Sequence, residues 1–135
     1  MVRYDVRSRE LVDLVNDIRN KRLIVAPFFQ RNFVWRISHQ IDFIKTILLE
    51  YPFPQIFIAK GDLDIDSMIN TSSIVDGQQR MTTISRFVAD KFKVDGLLFS
   101  EMSAEIKEKF LKFQVPIIDL QLNHYGLKVH RFLLD

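Results

Sequence analysis

The sequence predicts a small α+β domain, on three observations. Four stretches place apolar residues at helical spacing, and short β-branched or aromatic runs stand between them. At 47% hydrophobic over 135 residues, with twelve Phe, the chain has enough apolar mass to close a core of its own. Its length fits one domain, residues 1–135. Nineteen Lys+Arg against seventeen Asp+Glu leave a formal charge of +2. That excess cannot neutralise a long run of phosphates by bulk attraction, so any contact with a nucleotide or nucleic acid has to be a local site. With no cysteine, a disulfide scaffold, a thiolate zinc site and thiol catalysis are excluded. No uncharged apolar run approaches the roughly 18 residues of a membrane span. The charged N-terminus (Arg3, Asp5, Arg7, Arg9, Glu10) contains no apolar signal core. A cytoplasmic protein with no membrane partner is expected.

The elements follow in order. Ser8 is a candidate N-cap, and Leu11, Leu14, Val15 and Ile18 repeat at i, i+3, i+4, i+7, which predicts an amphipathic first helix. Lys21 and Arg22 suit its C-terminal end. Leu23 to Ala26 reads as a short strand stopped by Pro27. Pro27 to Arg36 (PFFQRNFVWR) has no clean period and is expected to be a functional loop or an irregular strand. Ser38 offers a second N-cap, and Ile37, Ile41, Ile44, Ile47 and Leu48 give a second helical stripe reaching Tyr51, ended by Pro52 and Pro54.

Gln55 to Lys60 and Ser73 to Val75 read as strands, and the acidic Gly61 to Thr71 between them as an exposed hairpin or loop. After Asp76 and Gly77, Met81, Ile84, Val88 and Phe92, with Phe87 alongside, predict a third helix, and Asp95 and Gly96 a turn. Ser103 opens a fourth helix with Ile106, Phe110 and Leu111 on one face. Val115 to Leu122 reads as a strand, placed at a sheet edge by Pro116. Tyr125 to Asp135 holds Val129, Phe132, Leu133 and Leu134 with little chain left to bury them. Truncation before a second domain is the expected reason.

The chemistry concentrates where a strand runs through a glycine turn into the third helix, SIV-DGQQR-MTTISRFV. The first amides of a helix have no partner within it, and its N-terminal end carries about half a positive charge, so such a turn holds anions. Gly77 allows close backbone approach. The Arg80 guanidinium fork suits phosphate, and Gln78 and Gln79 add amide donors. A purely structural alternative is a capping box, with Asp76 taking the Gln79 amide and Gln79 returning the bond. That alternative leaves Gln78 and Arg80 unexplained. The second candidate is Gln30 and Arg31, with Trp35 and Arg36 behind them, where Trp35 either stacks on a ligand or anchors the core. Of the three histidines, His39 falls in the first turn of a helix and His124 and His130 lie near the end. None has metal-ligand spacing, so no protein-built metal site is expected.

Phe29-Gln30-Arg31, then Val34-Trp35, then an Ile/Leu-rich helix ending in Tyr51-Pro52, a strand, and Ile74-Val75-Asp76-Gly77-Gln78-Gln79-Arg80-Met81-Thr82-Thr83-Ile84 resemble the N-terminal domain of GmrSD-type, modification-dependent (type IV) restriction enzymes. That family belongs to the ParB/sulfiredoxin-like superfamily. The resemblance runs from about Leu23 to Phe92 and rests on two separated motifs in the family's order. It implies a ParB-like α+β domain, a small mixed sheet with about four helices, that binds and hydrolyses a nucleoside triphosphate in a prokaryotic restriction and phage-defence system. On that basis Asp76, Gly77, Gln78, Gln79 and Arg80 meet the phosphates, with Asp76, Gln79 and Arg80 catalytic, and Gln30 and Arg31 complete the pocket. Mg²⁺ is expected with the nucleotide, Asp76 being the acidic residue inside a motif. The expected partners are DNA, reached through the full-length protein, a C-terminal HNH-type nuclease domain or subunit, and further copies in an oligomer. The competing readings are a DNA-binding or modification-sensing module, with Trp35 stacking a base, and a ParB-like nuclease.

Overall fold

The computed structural model describes residues 3–26, 35–52 and 54–121. Along them run β1 (Arg3–Glu10), α1 (Leu11–Arg19), β2 (Leu23–Ile24), α2 (Ile37–Leu48), β3 (Ile56–Asp64), β4 (Ile69–Asp76), α3 (Gln78–Val88), a 3-10 turn (Phe99–Glu101), α4 (Ala104–Leu111) and β5 (Gln114–Gln121). The five described strands form one sheet in the order β1-β5-β3-β4-β2. β1 and β5 are antiparallel, as are β3 and β4, whereas β3 runs parallel to β5 and β2 parallel to β4. With four helices among the described residues, this is the mixed-sheet α+β domain the sequence predicts.

Alternation along the strands sorts side chains onto two faces. Ile56 and Ile58 of β3, Ile74 of β4 and Val115 and Ile117 of β5 join Leu11 and Leu14 of α1, Ile44 and Ile47 of α2 and Met81, Ile84 and Phe87 of α3 in one buried cluster. Phe87 is its aromatic hub, with its ring centroid 5.3 Å from that of Phe110 and 5.5 Å from that of Phe99, both edge to face. The opposite sheet face holds a smaller apolar group, Ala59, Val75 and Leu120 with Phe57 and Ile118.

The structure corrects three elements, the simplest being the third helix, which ends at Val88 and leaves Phe92 beyond it. Ser8 does not cap α1: it lies inside β1, and its hydroxyl donates to Gln114 Oε1 at 2.8 Å. β1 pairs with β5 over its whole length, from Arg3↔Gln121 to Glu10↔Gln114, so the helix starts only at Leu11. Pro116 does not mark an edge, because β5 lies between β1 and β3. Pro116 stands opposite Ser8, one residue before the parallel pairing with β3 begins at Ile56↔Ile117, and its missing N–H falls at the boundary of that ladder.

The acidic segment after Lys60 is a hairpin formed by the extended ends of β3 and β4. A Cβ on Gly61 would lie 2.8 Å from the Thr71 carbonyl oxygen, so the irregular pairing there needs glycine. Asp95 and Gly96 make the tight turn between Val94 and Leu97, both at positive φ (52° and 80°). Among the described residues no helix is long and apolar enough to cross a membrane.

Candidate functional site

β4 delivers Asp76 to the end of the sheet, opposite Phe57 of β3. Gly77 follows as the N-cap residue of α3, with φ 103° and ψ 16°. That backbone is natural only for glycine, and a Cβ would also come within 2.3 Å of Ile56 Cδ1. The conformation therefore requires the glycine, and a Cβ would in addition displace the end of the Ile56 side chain. The capping box does not form: α3 has no side-chain cap hydrogen bond and no acidic residue in its first turn. Asp76 stays two-thirds exposed, with its carboxylate 3.6 Å from Arg80. No side chain therefore caps the start of α3, and no acidic residue of its first turn meets the positive end of its dipole.

Arg80 is more deeply placed than a phosphate-facing first-turn arginine would be. Its side chain is only 13% exposed, and it donates to the main-chain carbonyls of Pro54 and Gln55. It thereby clamps the start of α3 to the connection between α2 and β3. Burial pulls its pKa down and the neighbouring Asp76 carboxylate pushes it back up. Gln78 is also buried, and its Oε1 accepts the Ala26 amide at 2.9 Å. Gln79 differs from both: its Oε1 is buried without a hydrogen-bond partner among the described residues, while its main-chain oxygen accepts from the Thr83 hydroxyl at 2.8 Å.

Gln30 and Arg31 lie outside the described residues, as do His124, His130 and the apolar stretch from Tyr125. The positions flanking 27–34 are both tied to α3. Ala26 is held by Gln78. On the far side the Trp35 carbonyl accepts from Gln40 Nε2 at 3.0 Å, and Gln40 Oε1 accepts from Arg86 Nε at 3.0 Å. Arg31 comes five positions after Ala26, at most about 18 Å of extended chain. Trp35 is half-buried and stacked on His39, with ring centroids 4.4 Å apart and planes 8° from parallel, and its edge meets Phe43. One face of the indole is thus already covered.

The sequence reading missed Gln40 and Arg86. The available signal was Gln40 itself, a polar residue four before Ile44 on an otherwise apolar stripe; it is 4% exposed. Among the described residues no group of three or more His, Cys, Asp or Glu could hold a metal ion. Mg²⁺ held by one carboxylate and the phosphates it accompanies needs no such cage, and the exposed Asp76 carboxylate beside the uncapped helix end fits that arrangement.

A family model for the N-terminal domain of GmrSD restriction endonuclease matches residues 11–128, a span that contains both motifs and most of the chain. No curated protein and no solved structure matches it.

Proposed function

The chain belongs to the family of GmrSD restriction endonuclease N-terminal domains, and from that premise we propose that it is the nucleotide-binding and NTP-hydrolysing regulatory part of a prokaryotic DNA restriction system. The observation that carries the reading is the uncapped start of α3. Its first turn has glycine at the N-cap, no side-chain cap and no acidic residue, and beside it the unpartnered Gln79 Oε1 is an acceptor for the attacking water. Anions suit such a helix end, where several amide dipoles point one way and no reorganisation is needed.

In this reading the main-chain amides of Gln78 and Gln79 hold the terminal phosphates. Gly77 lets them approach, and the Gln79 side chain orients a phosphate oxygen or the attacking water. Arg80 acts from its clamp on the Pro54 and Gln55 carbonyls, fixing the turn and adding positive charge behind it. Asp76 would hold the Mg²⁺ that accompanies the nucleotide, and that ion would supply charge neutralisation at the phosphates. Gln30 and Arg31 close the pocket from the segment that Gln78 anchors at Ala26. Hydrolysis adds water at the γ-phosphorus and breaks its bond to the bridging oxygen, releasing the diphosphate and inorganic phosphate.

Calorimetry tests this directly. An NTP with Mg²⁺ should bind the chain, the matching diphosphate should bind more weakly, and Gln79→Ala should weaken both while changing stability by about 0.5 kcal/mol or less. Phosphate release measured alongside tests turnover. Failure to bind any NTP, together with tight DNA binding whose log affinity falls linearly with log salt, would replace this reading with the DNA-module one.

A further inference from the structure

A second polar cleft of about 380 Å³ opens on the helix side of the sheet, beyond the last turn of α1, and its lining includes none of the residues from Asp76 to Arg80. Arg7 and Arg9 project into it from β1, where they stand opposite the core residues Ile117 and Val115 of β5. Arg22, just past α1, forms the far wall, and Asn70 and Ser72 of β4 add polar groups. Ser72 lies four residues before Asp76 on β4, about 13 Å away at strand spacing.

The cleft holds more donors than acceptors. A guanidinium carries five N–H donors. Arg7 commits Nε and one terminal nitrogen to the Asp119 carboxylate, and Arg9 commits one terminal nitrogen to Asp17 at 2.8 Å. Each keeps further N–H groups, and the two carboxylates hold the guanidinium planes in fixed directions. Arg22 has no side-chain hydrogen bond or ion pair among the described residues. Three guanidinium groups against two carboxylates leave a net positive, partly pre-oriented set of forks. A phosphoryl group fits it by chemistry, because its oxygens accept bidentate arginine contacts and carry concentrated charge.

We propose that this cleft is a phosphate site separate from the α3 turn, and that it takes either a backbone phosphate of a nucleic acid or the phosphoryl group of a small molecule. Neither alternative depends on nucleotide binding at Asp76 to Arg80.

The test is an NMR titration of the ¹⁵N-labelled chain, reading the arginine Nε–Hε resonances, with inorganic pyrophosphate in one series and a short DNA duplex in another. Saturable movement of the Arg7, Arg9 and Arg22 signals is expected. Movement with the duplex alone identifies nucleic-acid backbone as the source, and movement with pyrophosphate, alone or as well, identifies a phosphoryl ligand that need not be polymeric. Arg22→Glu should lower affinity for the active probe by about tenfold or more, whereas Lys93→Glu, the same charge change at an exposed position outside the cleft, should leave it nearly unchanged. Arg22→Gln and Lys93→Gln give the same comparison should the reversal disturb folding. No movement with either probe, movement confined to residues 76–80, or equal losses in the Arg22 and Lys93 variants would overturn the proposal.

Discussion

Helices α3 and α4 begin in contrasting ways. At α4 the Ser103 hydroxyl accepts the Ile106 amide at 3.2 Å and Glu105 stands in the first turn, so one free donor is satisfied and the dipole is met by a carboxylate. At α3 a left-handed glycine occupies the cap position, no side chain closes the end, and the first turn holds Gln78, Gln79 and Arg80. The first arrangement favours the helix for its own sake. The second forgoes that local stability and leaves a positive end without a side-chain cap, with a half-buried arginine and a buried glutamine holding it in place from behind. The contrast teaches that the start of α3 is held by tertiary bonds and not by local capping.

If that is right, substitutions at the two helix starts should part company. Arg80→Ala is expected to have the largest effect, costing about 2–3 kcal/mol in urea unfolding, because it strips charged donors from two main-chain carbonyls in a largely buried place. A loss under about 0.5 kcal/mol would show that the clamp does not support the turn. Next comes Gly77→Ala, expected to cost about 1–2 kcal/mol from the positive φ alone, plus whatever displacement of Ile56 requires. Both should also weaken NTP binding. Ser103→Ala should cost about 1 kcal/mol and leave ligand affinity at α3 unchanged; a change in affinity there would break the distinction between the two helix starts.

The smallest effect is a dependence on pH just beyond the end of α3. Hydrogen bonds from the Ser100 hydroxyl and amide hold the Asp90 carboxyl below its usual value of 3.8. A carboxyl lowered in this way stabilises the fold above its unfolded value, and that contribution disappears as pH falls through the folded one. Thermal melts of Asp90→Asn should therefore show a shallower fall in Tm than the parent on going below about pH 4. Parallel curves would remove Asp90 from the account.

Much of this was legible in the sequence because periodicity and burial coincide. Met81 and Ile84, read as the core stripe of α3, are fully buried, as is Ile44 of α2, and Ser103 caps α4 as its position suggested. The β1 strand was not legible. Its residues alternate between charges and the exposed Tyr4 and Val6, so neither face announces a core, and Ser8 before an apolar stripe imitates a helix start. Pro116 misled because an interior strand tolerates proline where the ladder to one of its two neighbours has not yet begun. At the site, the turn itself was visible as DGQQR, but the inward direction of Arg80 and the Gln78 bond to Ala26 depend on residues 25 and 52 positions away. No local pattern encodes those partners.

The position of β5 has a consequence for the order in which the domain assembles. It fills the gap between β1 and β3, so the first strand to leave the ribosome waits for the last of the five, and the pair Arg3↔Gln121 closes across 118 residues. Helices and the β3–β4 hairpin can form from near neighbours while β1 still lacks its only described strand neighbour. Long-range closure of this kind slows folding and prolongs the exposure of unpaired strand edges. The slow step of folding should then be the insertion of β5, and a nascent chain halted before residue 114 would display two incomplete sheet edges to any chaperone nearby.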